Sequence, residues 1–161
     1  MPDYLTLALH GSHYSMGQQH GRQVSRLRPQ IAAAMVAHFR QLELYGPDAR
    51  FEMLVRETFD LVQEVDPPLL ELIRGQAEAL EVDFEALLRY HLGTYLRDDL
   101  VIRQTQGNEG CTTWAASGLW TTDGQPILVK NRDYRPEHLP LQVLVRATPS
   151  QGYPYLYVSS A

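Results

Sequence analysis

Cysteine and lysine are almost missing from this chain: one of each, Cys111 and Lys130, in 161 residues. A single cysteine excludes an internal disulfide and any zinc site built from several thiolates. A single lysine leaves Lys130 as the sole candidate for lysine chemistry, because the other thirteen basic residues are arginines, which stay charged and do not tune. Positive charge is also short. The net charge is −5 and the isoelectric point about 5.6, the wrong sign for a nucleic-acid footprint. No apolar run approaches the length of a membrane span. The opening MPDYLTLALHGSH carries no basic region ahead of its short apolar stretch, so no secretory signal is expected and a cytoplasmic location is. Hydrophobic residues at 44% and charged residues at 20% suit one globular domain with a real core.

The patterning changes near residue 105. Leu5, Leu7 and Leu9 alternate with Thr6, Ala8 and His10, which predicts a short strand ending at Gly11. Ser12 or Ser15 caps a helix to about Tyr45, with Met16, Val24, Leu27, Ile31, Met35, Phe39 and Leu42 inward and Pro29 kinking or dividing it. Further helices are predicted over about 50–65, 68–80 and 84–97, the last capped by Asp83. Beyond a polar loop at 104–110 the pattern is a meander of strands at 111–117, 127–131, 141–147 and 153–159. Asp123-Gly124 turns the first hairpin. The fold class expected is α+β, helices first and strands after. Tyr153, Tyr155 and Tyr157 alternate along the last strand and are expected to pack. That strand carries no cap or polar tail, which suggests a piece of something longer.

Cys111 lies between loop and strand, directly after Gly110. A thiol so placed can attack the preceding carbonyl. Hydrolysis of the resulting thioester leaves Cys111 as a new N-terminus, whose α-amine titrates near ~7.7–8.0 and acts as base for its own thiol. Lys130-Asn131-Arg132-Asp133-Tyr134 follows the hairpin, and Asn131 and Asp133 share a face if the strand runs on. A carboxylate there can hold or orient the amine; the plainer reading is that Asp133 caps a turn and the basic residues are solvated. His10, His13 and His20 straddle a strand end and a helix start, so no metal site is assigned and His20 is read as a polar contact in helix packing. Gly11, Gly17 and Gly21 lack the spacing and the Lys-Ser/Thr of a phosphate loop.

Gly110-Cys111-Thr112-Thr113, the Gly124 hairpin and Asn131-Arg132-Asp133-Tyr134, in that order, resemble the acyl-coenzyme A:6-aminopenicillanic-acid acyltransferase (isopenicillin-N acyltransferase-like) family of N-terminal-nucleophile hydrolases. The opening Gly11-Ser12-His13-Tyr14-Ser15-Met16-Gly17-Gln18-Gln19-His20-Gly21 and Ile73-Arg74-Gly75-Gln76-Ala77 resemble it as well. The resemblance implies self-cleavage at Gly110–Cys111, Cys111 as nucleophile and Asp133 beside it. Asn131, Lys130 and Thr112 would support them. It further implies a helical pro-segment over 1–110, the start of the catalytic part over 111–161, and an αββα sandwich completed by a C-terminal segment beyond this chain. The substrate would be a small-molecule amide or an acyl-coenzyme A thioester, with no cofactor, nucleic acid or membrane. The competing reading is an inactive truncated remnant.

Overall fold

The computed structural model describes residues 5–44, 49–93, 112–131 and 136–160. The leucine alternation at the start produces β1 (Leu5–Gly11), with Leu7 and Leu9 fully buried and Thr6, Ala8 and His10 outward. Gly11, at φ +98°, turns the chain, and Ser12 caps α1 (His13–Gln23) by accepting from the Ser15 N–H at 3.2 Å. The long helix expected next is divided, but not at Pro29. A 3₁₀ turn at Ser25–Leu27 separates α1 from α2 (Arg28–Leu44), and Pro29 sits in the first turn of α2, where no donor is required. α3 (Ala49–Val65) and α4 (Pro67–Leu80) follow, the latter opened by Pro67 and Pro68. A fifth helix, α5, covers residues 84–93 and is capped as expected, Asp83 Oδ1 accepting from the Ala86 N–H at 2.8 Å.

α1 and α4 meet backbone to backbone. A Cβ on Gly17 would lie 2.0 Å from the Leu72 carbonyl oxygen, and one on Gly75 would lie 2.2 Å from that of Tyr14. Only glycine admits this approach, which explains why the Gly17/Gly21 and Gly75/Gln76 motifs occur in one chain. α5 is tied to α3 by the Arg89–Glu52 ion pair, with the Arg89 guanidinium 5.7 Å from the Phe51 ring centroid. That pair holds the Glu52 carboxyl below its usual range.

The four predicted strands of the second half all form: β2 (Thr112–Ala116), β3 (Ile127–Asn131), β4 (Gln142–Pro149) and β5 (Tyr155–Ser160). They do not form a meander. β2 pairs only with β3, whereas β4 crosses back to lie parallel to β1, and β5 pairs antiparallel with β4, giving the order β1-β4-β5. Burial decides this. Val143, Val145 and Ala147 of β4 stand beside Leu5, Leu7 and Leu9 and complete one apolar face against Met16, Val24, Ile73, Ala77 and Leu80. Tyr157 joins that face from β5, where burial and neighbouring Tyr155 push its phenol up to about 12. Tyr153 precedes β5 and is 89% exposed, so the expected packing fails there; it holds for Tyr157, with the half-exposed Tyr155 ring 5.7 Å from it.

The β1 edge of this sheet is closed by side chains of α1. Gln19 donates to the His10 carbonyl at 2.7 Å and accepts from the His10 N–H at 2.9 Å. Gln23 repeats the arrangement on Ala8, at 2.9 Å and 3.2 Å. Two carboxamides one helical turn apart thus satisfy two alternate residues of the strand edge as a neighbouring strand would.

Candidate functional site

Of the residues singled out for chemistry, Thr112, Lys130 and Asn131 lie at the open end of the β2–β3 hairpin. Thr112 stands directly opposite Asn131, and Thr113 opposite Lys130. Strand parity then puts Trp114 and Ala116 on one face with Val129 and Ile127, and Thr113 and Ala115 on the other with Lys130 and Leu128. Thr112 and Asn131 are therefore register partners at the strand ends, while Lys130, one position back, is an exposed side chain beside Thr113. Gly110, Cys111 and Asp133 lie outside the described residues; in the chain, Cys111 is one residue from Thr112, and Asp133 two from Asn131.

The closed end of the hairpin is longer than a two-residue turn. Gly118 and Gly124, at φ +61° and +74°, bracket a 3₁₀ turn at Gly118–Trp120. The Gly124 N–H donates to the Thr121 carbonyl at 3.3 Å, and Asp123 Oδ1 accepts from the Gln125 N–H at 3.0 Å. In place of the expected two-residue Asp-Gly turn, Thr122 and Asp123 sit at the centre of a 121–124 turn inside a larger loop that presents Leu119 and Trp120, 103% and 87% exposed. Trp114, Ile127 and Leu128 of the strands are exposed as well.

A second group of polar residues lies in the helical layer. His20 of α1 is buried, and its Nδ1 is hydrogen-bonded to Nε2 of Gln76 on α4, which is the helix-packing contact expected of it. Burial, with His91 of α5 nearby, pushes His20 down to about 4, and burial pushes His91 down to about 4. Beside His91, the Tyr90 ring lies 5.2 Å from that of His38 on α2. Its hydroxyl reaches His138 Nε2 at 3.3 Å, in the 3₁₀ turn Pro136–Leu141 that leads into β4. Tyr90 and His138 are stacked within 13° of parallel. Nothing in the sequence singled out His38, His91 or His138, since lone histidines on helix faces carry no periodic signal. Among the described residues no group of three His, Cys, Asp or Glu side chains is placed to hold a metal ion, and no helix is long and apolar enough to cross a membrane. No family model matches the chain, and no curated protein matches it in sequence.

Proposed function

We propose that the chain is an autoproteolytically activated N-terminal-cysteine acyltransferase or amidohydrolase, with Cys111 as nucleophile and Asp133 as the carboxylate that orients its amine. The observation that carries this reading is the register Thr112 opposite Asn131. It makes the strand that starts just after Gly110-Cys111 and the strand that ends just before Arg132-Asp133 direct neighbours. Cys111 is the neighbour of Thr112 in the chain and Asp133 the second residue after Asn131, spans of at most about 4 and 7 Å from those two positions.

The chemistry follows in two stages. In maturation, the Cys111 thiolate adds to the Gly110 carbonyl and the amide nitrogen leaves as the α-amine of Cys111. Water then hydrolyses the thioester, freeing the Gly110 carboxylate and the thiol. In turnover, the α-amine takes the thiol proton as sulfur attacks an amide or acyl-thioester carbonyl. The leaving amine or thiol departs with a proton, and the acyl group passes to water or to an acceptor amine. Thr112, Asn131 and Lys130 are supporting residues in this scheme.

The αββα sandwich belongs to the same proposal. The exposed apolar side chains of the hairpin, and Leu156 and Val158 on the outer face of the three-stranded sheet, support a second layer that includes a further segment. The same exposure supports the competing reading, a remnant that is inert without that segment. The test is incubation of the wild type and Cys111→Ala with simple anilide amides and acyl-coenzyme A thioesters. The expected result is release of leaving group and an acyl adduct on the Cys111 peptide, both absent in the variant. Equal release by the two would overturn the assignment.

A further inference from the structure

Among the described residues from 112 onward, His138 is the first buried side chain that the chain reaches after the hairpin, at 5% exposure, and Leu141, at 1%, is the next. Both belong to the 3₁₀ turn Pro136–Leu141. His138 is held from the helical layer. Its ring lies within 13° of parallel to that of Tyr90 on α5, with centroids 6.2 Å apart, and the Tyr90 hydroxyl comes 3.3 Å from its Nε2. Tyr90 is steadied in turn by the buried His38 of α2, edge to face at 5.2 Å and 82°. Leu141 leads directly into β4 and fixes the far end of the turn, so the near end depends on His138. Pro136 and Pro140 lock two φ angles in between, which makes the turn a stiff piece whose direction follows its anchors.

We propose that Tyr90 and His138 are positioning residues for the acyl-transfer reaction: their contact fixes the turn from which the chain reaches back to Asp133, and so sets where that carboxylate stands relative to Cys111. The inference rests on the acyl-transfer reading above. Asp133 lies in the chain between two described anchors. It is the second residue after Asn131, whose place is set by the β3 register, and the third before Pro136, spans of at most about 7 and 11 Å. A carboxylate tied at the hairpin alone would follow the motions of a ribbon exposed on both faces. Tied at both ends, it keeps its distance from the group it orients, and a displacement of about 1 Å is enough to slow a reaction about 100-fold. Tyr90 and His138 act through Asp133, and no proton passes through either ring in this scheme.

The test is a double-mutant cycle on cleavage at Gly110–Cys111, followed by intact mass and expressed per folded molecule. Tyr90→Leu removes the stacked ring, Tyr90→Phe keeps it, and Asp133→Glu displaces the carboxylate by one methylene. Tyr90→Leu is expected to slow cleavage about 100-fold and Tyr90→Phe less than about 3-fold. In the Asp133→Glu background, where placement is already lost, Tyr90→Leu is expected to add less than about 3-fold. Equal slowing by Tyr90→Leu in both backgrounds, or a Tyr90→Leu chain that cleaves like wild type, would overturn the positioning role and leave the acyl-transfer reading standing. Wild-type chain that does not cleave would overturn that reading, and the role with it. If Tyr90→Leu fails to fold, His138→Asn, which also removes the ring stack, takes its place in the cycle with the same expectations.

Discussion

The two β-elements of this molecule meet water in opposite ways. β1 has its inner face under α1 and α4 and the backbone of its outer edge bonded to Gln19 and Gln23. The β2–β3 hairpin has apolar side chains exposed on both faces and at its tip. A two-stranded ribbon has no interior of its own, whereas β1 buries one face and has Ala8 and His10 of its edge bonded by side chains. The contrast separates the part of the chain that holds the fold from the part that carries the proposed chemistry.

The largest effect is expected where the closed region is tightest. Gly17→Ala puts a methyl group against the Leu72 carbonyl and requires α1 and α4 to move apart. A loss of about 3 kcal/mol or more in urea unfolding is expected, a large fraction of a domain's total stability. A loss under ~1 kcal/mol would mean that the two backbones are not in contact. Removing both edge carboxamides, Gln19→Ala with Gln23→Ala, is expected to cost about 2 kcal/mol and to make the protein associate at high concentration, as measured by sedimentation. Unchanged stability and a strictly monomeric double variant would show that the edge needs no cover. The smallest effect is expected at the hairpin tip. Leu119→Ser with Trp120→Ser should leave stability within about 0.5 kcal/mol, because neither side chain is buried. A larger loss would show that the tip packs against something in solution.

Acid sharpens the contrast from the other side. His20 and His91 are held at about 4 against an ordinary 6.5, so the folded state binds fewer protons than the unfolded one between those values. Stability is therefore full above pH 6.5 and falls as the pH drops towards 4, by roughly 3 kcal/mol per ring at the limit. The hairpin's loop hydrogen bonds involve no histidine and should not follow this dependence.

Local structure was legible because local rules produce it. Leucine alternation specified β1, the Asp83 cap specified the start of α5, and Ile127–Asn131 emerged as β3 with the expected bounds. Pairing was not legible. Period two identifies β4 as a strand but does not say that it will sit beside β1 rather than β3; the shared apolar face against α1 and α4 decides that. Pro29 misled for a related reason, since a proline in a helix interior breaks it and a proline in the first turn starts it. For the site, the hairpin was legible from strand spacing and turn residues, but its register was not: a two-residue Asp123-Gly124 turn sets Asn131 opposite Ala116, whereas the longer loop sets it opposite Thr112. The contacts of His20 with Gln76 and of Tyr90 with His38 and His138 required tertiary packing to assemble and left no trace in the order of residues.

The account turns on whether the hairpin end is a processing site, and intact mass after incubation reads this most directly. Wild-type chain is expected to convert to two fragments, 1–110 and 111–161, whose masses sum to the precursor plus one water, while Cys111→Ala stays whole. Wild-type chain that stays whole under the same conditions, or a Cys111→Ala variant that splits at the same bond, would contradict it.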